Sequence, residues 1–206
     1  MNSITVRLAT VGDAPELLAI YAPYVTSTPI TFEYEVPSVT EFETRIKTVS
    51  DRFPWLVCEA DGKIAGYAYI SPHYERAAYQ WDAELSIYLS EAYHRLGIAL
   101  NLYKCLFELA AAQGYCNLYS LITVPNEPSM GLHAACGFHP VGTYPHTGYK
   151  FGTWYDMCVL EKPLRDFQES FNPQPTKSIQ DLNPALVAEA LKRCENNILK
   201  RGKYPC

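Results

Sequence analysis

Residues Gln80 to Leu89 alternate strictly, with Trp81, Ala83, Leu85, Ile87 and Leu89 on one side and Asp82, Glu84, Ser86 and Tyr88 on the other. Four residues later the run Tyr93-His94-Arg95-Leu96-Gly97-Ile98-Ala99-Leu100 opens an apolar segment of helical spacing that continues to Ala112. A change of period from two to 3.6 across a glycine-containing turn predicts a strand that feeds directly into a helix. Small residues at Gly97 and Ala99 let a polyanion approach the main chain, where the free N–H groups of a first helical turn supply donors and partial positive charge. The same spacing also suits a tight turn that simply needs a small residue.

The rest of the chain places this junction in a mixed α/β domain. Ile4 to Leu8 alternates as a short strand, and Asp13-Ala14-Pro15-Glu16 predicts a helix capped by Asp13 with Leu17, Leu18, Tyr21 and Tyr24 on its apolar face. Ser38-Val39-Thr40-Glu41 is a second capping box, followed by Phe42, Ile46 and Val49 at helical spacing. Two strand-like runs, Trp55 to Glu59 and Ile64 to Ile70, flank Asp61-Gly62, a pair suited to the positive φ angles of a tight hairpin. Leu118 to Thr123 reads as a strand, Glu127 to Cys136 as a helix, and two closing strands surround Gly148 and run through Trp154 to Leu160. The sheet is expected to be mixed and mostly antiparallel, flanked by helices.

After Lys162 the composition shifts to a polar stretch punctuated by Pro163, Pro173, Pro175 and Pro184, which reads as a linker. Asn183-Pro184 then begins a helix whose Leu186, Val187, Ala190, Leu191, Cys194 and Ile198 form one apolar stripe. An isolated helix this short is marginal in water, so the stripe is expected to pack on the main domain or on a second subunit.

Charge and cysteine usage exclude several classes of function. Seventeen Lys and Arg against 22 Asp and Glu give a net charge of -5 without a basic block to follow a phosphate backbone, so nucleic acid is not an expected partner. No positively charged leader and no apolar run of membrane-spanning length is present, and a cytoplasmic protein is expected. The seven cysteines are scattered, odd in number and without a C-x-x-C pair, which argues against zinc and against a disulfide framework.

The order of cradle turn, strand, helix and Gly137-Phe138 resembles the GNAT superfamily of acyl-CoA N-acyltransferases, whose cradle motif is Q/R-x-x-G-x-G/A. The resemblance covers about Ile4 to Leu164, defining a domain over residues 1–164 and a tail over 165–206. It is nearest to the phosphinothricin N-acetyltransferase group, through Glu84, through Pro125-Asn126-Glu127-Pro128-Ser129 leading to His133, and through Gly148-Tyr149-Lys150-Phe151-Gly152-Thr153-Trp154-Tyr155-Asp156. His94 departs from the motif, where glutamine or arginine is usual, while Ala99 is the permitted alternative to glycine.

What the resemblance implies is an acetyl-CoA-dependent transfer to the amino group of a small amino-acid-like molecule by direct attack in a ternary complex, without a metal. Glu84 is implied as the base, where the pattern alone more often marks a solvated strand glutamate. His133 is implied as acid or proton relay, and a half-buried packing histidine is the alternative. Ile87, Tyr88 and Leu89 are implied to offer backbone groups to the pantetheine arm, with a bulge aiming one N–H at the thioester oxygen. His94, Arg95, Leu96, Gly97, Ile98, Ala99 and Leu100 are implied to take the pyrophosphate, and Asn126 and Ser129 to border the pantetheine. On the acceptor side the group's pattern points to Phe32, Tyr34, Arg76, Tyr79 and Ser86, and the assembly common in the group is a homodimer. Another amine, a protein N-terminus, or a non-catalytic acyl-CoA-binding module remain open as alternatives.

Overall fold

The computed structural model describes residues 3–167 and 172–202; Cys206 and positions 168–171 of the expected linker lie outside the described residues. Seven strands form one sheet in the order β1-β2-β3-β4-β5-β7-β6: β1 (Ile4–Leu8), β2 (Trp55–Ala60), β3 (Lys63–Pro72), β4 (Asp82–Leu89), β5 (Asn117–Val124), β6 (His139–Lys150) and β7 (Thr153–Pro163). All neighbours are antiparallel except β4 and β5, the one parallel pair. Its crossover is α3 (Ile98–Gln113), the helix predicted after the cradle.

The continuous apolar run of β2 has a structural reason: both faces of the sheet are covered. Trp55 and Val57 pack with Tyr67 under α1 (Ala14–Ser27) and α2 (Val39–Ser50), joined by Leu17, Tyr21, Val25, Phe42 and Ile46. Leu56 and Cys58 face the other way, into a core with Leu102, Leu106 and Leu109 of α3 and Ala190, Cys194 and Ile198 of α5 (Pro184–Gly202). Helix α4 (Glu127–Ala135) lies on this second side, where His133 meets Tyr103 and Phe138. The six described cysteines are all buried and unpaired as disulfides.

The Asp61-Gly62 hairpin forms as expected, with φ of 50° and 78°. Ser38 and Glu41 close the capping box of α2. Three expectations are corrected. Asp13 does not cap α1, because its carboxylate is taken by the Thr10 N–H and hydroxyl and by a two-pronged pair with Arg7 at 2.7 and 2.8 Å. The closing hairpin turns at Phe151-Gly152, with φ of 51° and 75°, and not at Gly148. Gly148 is small for another reason: the Phe32 ring lies over it, and a Cβ there would sit 2.1–2.4 Å from three ring carbons. Lastly, β3 and β4 keep unbroken register from Gly66↔Leu89 to Pro72↔Ala83, so no bulge is present on that side of β4.

The segment read as a linker is held down at several points. The Trp81 indole donates to the Gln174 carbonyl, Gln113 donates to the Arg52 and Lys177 carbonyls, and Ile179 and Leu182 are buried. The stripe of α5 then covers α3 and β1, and Glu195 accepts a hydrogen bond from the Val6 N–H.

Candidate active site

The parallel ladder between β4 and β5 holds only at Asp82↔Asn117, Ala83↔Leu118 and Glu84↔Tyr119, although β4 runs on to Leu89 and β5 to Val124. Beyond Glu84 the two strands part, and a cleft opens between Leu85–Tyr88 and Leu121–Thr123. Tyr103, Asn126, Ser129 and His133 close it from the α3 and α4 side, and Ile30 borders it from the other. A splayed parallel pair leaves backbone donors and acceptors unladdered inside a covered sheet, which suits an extended amide-bearing ligand that pairs like an added strand. Ile87 offers that backbone, because Leu85 two positions earlier turns its carbonyl to Ser120 of β5 and alternate residues face the same edge, whereas Tyr88 turns its backbone to Tyr67 of β3. Leu89 does not offer its carbonyl, which already accepts from the Tyr24 hydroxyl at 2.6 Å and lies 3.3 Å from the His94 ring.

The cradle closes the far end of β4. Gly97 is left-handed, with φ of 78°, and Asn101 makes the first helical bond back to its carbonyl. The N–H groups of Ile98, Ala99 and Leu100 therefore precede the helical ladder and are the donors available to an anion. The side chain of Ile98 is core, and Leu96, Ala99 and Leu100 pack against that core, so these residues serve through their main chain. Arg95 is exposed at φ of 63°, beside the cradle. The departure at position 94 has a local explanation, since the His94 Nε2 sits 3.4 Å from the Tyr24 hydroxyl and 3.3 Å from the Leu89 carbonyl, tying the turn to α1 and β4.

The alternation of β4 puts the two candidate catalytic side chains on opposite sides of the sheet. Ala83 and Leu85 enter the α3 core, so Glu84, Ser86 and Tyr88 face the α1 and α2 side, where Tyr88 packs on Tyr21, Tyr24 and Tyr67. Burial pushes the Glu84 carboxyl above its ordinary value. The His73 Nδ1 lies 3.8 Å from its Oε2. Ser86 faces Tyr69 in the β3–β4 ladder.

His133 is 2% exposed and lies on the other side. Its Nδ1 is 2.8 Å from the Ser129 carbonyl, which can only accept, so Nδ1 carries a proton; Nε2 is 3.1 Å from the Tyr103 hydroxyl. Burial lowers the imidazole's pKa and leaves it neutral at pH 7, with Nε2 accepting from Tyr103. Tyr103 was not legible from sequence, where it reads as one more core aromatic of α3; only the contact with His133 sets it apart. Asn126 caps α4 by accepting from the Ser129 N–H at 3.2 Å and lines the cleft at the same time.

The remaining acceptor candidates are not brought into the cleft. Phe32 and Tyr34 border a separate hollow with Val36, Pro37 and Arg45, and the Tyr34 hydroxyl donates to the Tyr149 carbonyl. Arg76 and Tyr79 lie exposed at a short turn before β4, with Tyr79 against Tyr74. Lys150 and Asp156 serve the fold: Lys150 is buried and donates to the Thr31 carbonyl at 2.7 Å, and Asp156 accepts the His146 N–H.

A seven-stranded sheet split at its one parallel pair, with a glycine cradle at the mouth of the split, defines an acyl-transfer fold, and residues 6–159 match the family model described as an acetyltransferase (GNAT) domain. The chain belongs to the GNAT acetyltransferase family. It is 34% identical to phosphinothricin N-acetyltransferase of Streptomyces viridochromogenes, an alignment spanning 87% of this chain and 96% of that one. It is 32% identical to the L-methionine sulfoximine/L-methionine sulfone acetyltransferase of Pseudomonas aeruginosa, over 79% of this chain and 95% of that one. Among solved structures, the phosphinothricin acetyltransferase of Sinorhizobium meliloti in complex with acetyl-CoA is similar at a TM-score of 0.79 and 31% identity, covering 84% of this chain and 94% of that one.

Proposed function

We propose that this acetyltransferase moves the acetyl group of acetyl-CoA to the amino group of a small amino-acid-like acceptor of the phosphinothricin, methionine sulfone or methionine sulfoximine type. The observation that carries the reading is the split between β4 and β5, with a raised-pKa carboxylate on one side of the sheet and a Tyr103–His133 pair on the other. The relatives named for those acceptors support the substrate class.

In this reading acetyl-CoA lies in the split, its pantetheine against Ile87 with Asn126 and Ser129 alongside, and its pyrophosphate on the N–H groups of Ile98, Ala99 and Leu100, next to Arg95. The acceptor amine arrives from the Glu84 and Ser86 side. The ammonium proton goes to Glu84, the neutral nitrogen bonds to the thioester carbon, the carbon–sulfur bond breaks, the Tyr103 hydroxyl beside His133 gives its proton to the departing thiolate, and the second proton that the nitrogen sheds as it becomes an amide replaces the one Tyr103 gave. Base and acid act on different molecules entering from different faces, so the opposed placement of Glu84 and His133 is what the chemistry needs. Arg76 and Tyr79, exposed on the loop before β4, and Phe32 and Tyr34, next to Ile30, are assigned to acceptor recognition, where Arg76 would pair with an acceptor carboxylate.

Thiol release from acetyl-CoA across phosphinothricin, methionine sulfone, methionine sulfoximine, simple amines and a peptide with a free N-terminus tests the assignment. Turnover confined to the amino-acid-like acceptors is expected; turnover only on the peptide, or none, overturns it. Replacement Gly97→Val should weaken acetyl-CoA binding by roughly tenfold or more, since a branched side chain strains a left-handed position and blocks approach to the helix N-terminus. Titration calorimetry on the folded variant showing undiminished affinity would refute the cradle.

The reading extends to assembly and compartment. Strand β6 is one edge of the sheet, and Val141, Tyr144 and Tyr149 on it, with Phe151 and Trp154 at the turn into β7, are exposed. We assign this rim to a homodimer contact, because patches of this kind on otherwise polar surfaces mark interaction sites. Among the described residues no helix is long and apolar enough to cross a membrane. Six buried free thiols fit a reducing compartment, and work in the cytoplasm is assigned on that ground.

A further inference from the structure

His73 is the one histidine near the cleft that the mechanism above leaves without a task. It stands just past the ladder pair Ser71↔Glu84, at the end of β3, with its side chain 10% exposed. Its ring is fixed from two sides, stacked on Tyr119 at 4.3 Å and 10° and tilted against Tyr74 at 4.1 Å. Tyr119 is itself anchored, its hydroxyl donating to Glu161 at 2.8 Å. A ring clamped this firmly has a defined aim, and its buried Nδ1 has no hydrogen-bond partner. Leaving such an atom unsatisfied is costly, so an orphan nitrogen in a rigid setting calls for an explanation.

Among the described residues, Glu84 is the carboxylate that comes within 4 Å of a ring nitrogen of His73. Asp82 influences the ring but is engaged by the Asn117 amide, and Glu161 is engaged by Tyr119 and faces His139. Tyr69 and Tyr74 both sense the Glu84 charge and are neutral phenols. Glu84 receives no hydrogen bond among the described residues, and its Oε2 lies 3.8 Å from the orphan Nδ1. That gap is too long for a hydrogen bond and becomes one when the carboxylate swings about an ångström.

We propose that His73 is the positioning partner of Glu84, its Nδ1–H donating to Oε2 so that the carboxylate is held ready to take the proton of the acceptor's ammonium. This inference rests on the acetyltransferase reading of Glu84. With the amine deprotonated, its N–H bond is broken and the proton sits on Glu84, from which it leaves to water after the product departs. Burial raises the carboxyl and lowers the imidazole, so a neutral imidazole is the form that faces the carboxylate. In the resting state an Nδ1–H donor also offsets part of the desolvation of the carboxylate.

Two variants and one titration test this. His73→Phe keeps a ring to stack on Tyr119 and removes the nitrogen; His73→Asn restores an N–H close to the Nδ1 position. In the pH profile of kcat/KM for the acceptor, His73→Phe is expected to move the acid limb up by about one unit, as a buried carboxylate that loses its donor requires, while the KM for acetyl-CoA stays unchanged. His73→Asn is expected to recover at least half of that displacement. A His73→Phe profile that superimposes on the wild type, or two variants displaced alike, overturns the proposal. Independently of turnover, nitrogen-15 titration of the five histidines should show the His73 pKa falling by about one unit in Glu84→Gln, since the imidazolium loses its carboxylate neighbour. An unmoved His73 in that variant overturns the pairing even if wild-type turnover is found on none of the acceptors, an outcome that would by itself refute only the acceptor assignment.

Discussion

Glu84→Gln should lower turnover by about a hundredfold or more at neutral pH while leaving acetyl-CoA affinity intact, the usual scale for losing a positioned general base. The amide matches the carboxylate in shape but cannot take the ammonium proton, and the side chain faces the α1 and α2 side of the sheet, away from the face that Tyr103, Asn126 and His133 close. Removing it therefore separates chemistry from cofactor binding. The wild-type pH profile carries the same information with a sign. Burial raises the Glu84 pKa, and the base works only when deprotonated, so kcat/KM should fall as pH drops through a value above the ordinary carboxylate range. Stopped-assay thiol release over a pH series and calorimetric acetyl-CoA binding measure both. Unchanged turnover in the glutamine variant near pH 7 would remove Glu84 from the mechanism.

Truncation after Leu164 should cost most of the stability of the fold. Ile179, Leu182 and Ile198 are buried in the same core as α3 and β1, and burying each side chain of this size stabilises by roughly 1.5–3 kcal/mol. Their joint loss is on the order of 5 kcal/mol, comparable with the entire net stability of an ordinary domain. Ala190 and Cys194 go with them, as do the hydrogen bonds from Val6 to Glu195 and from Trp81 to Gln174. The expected result is a chain that is insoluble or melts tens of degrees lower, with apolar surface of α3 and β1 exposed. Calorimetry and light scattering on the truncated and full-length proteins decide it. Equal melting and equal particle size would mean that the tail contributes nothing to the fold, whatever its packing.

Much of the architecture was legible because its causes are local. The Asp61-Gly62 hairpin, the Ser38–Glu41 capping box, the alternation of β4 and the helix after Gly97 each depend on residues within a few positions of one another, and each formed where the pattern placed it. Where a pattern failed, a distant residue had intervened. Asp13 sits in a sequence that should cap α1, but Arg7 on β1 offers it a stronger charge-assisted partner. Gly148 sits in a sequence that suits a turn, but it is small because Phe32, more than a hundred residues earlier, lies on its Cα. The polar stretch after Lys162 has no periodicity of its own, and its conformation is set by Trp81, Gln113 and Arg52.

The same division runs through the site. The sequence by itself determined the glycine turn and the helix that follows it, because these are properties of one short segment, and it singled out Glu84 and His133 through their resemblance to family motifs. It could not show that β4 and β5 separate after Glu84↔Tyr119, since how far a parallel pair extends depends on packing over the whole sheet. Nor could it show that Glu84 and His133 stand on opposite faces, that Tyr103 lies 3.1 Å from the His133 Nε2, or that the buried Nδ1 of His73 comes within 3.8 Å of Glu84. Those facts depend on long-range contacts between side chains whose types are common and whose spacing in the chain is uninformative; only the closed sheet and its two helical layers bring them within reach of one another.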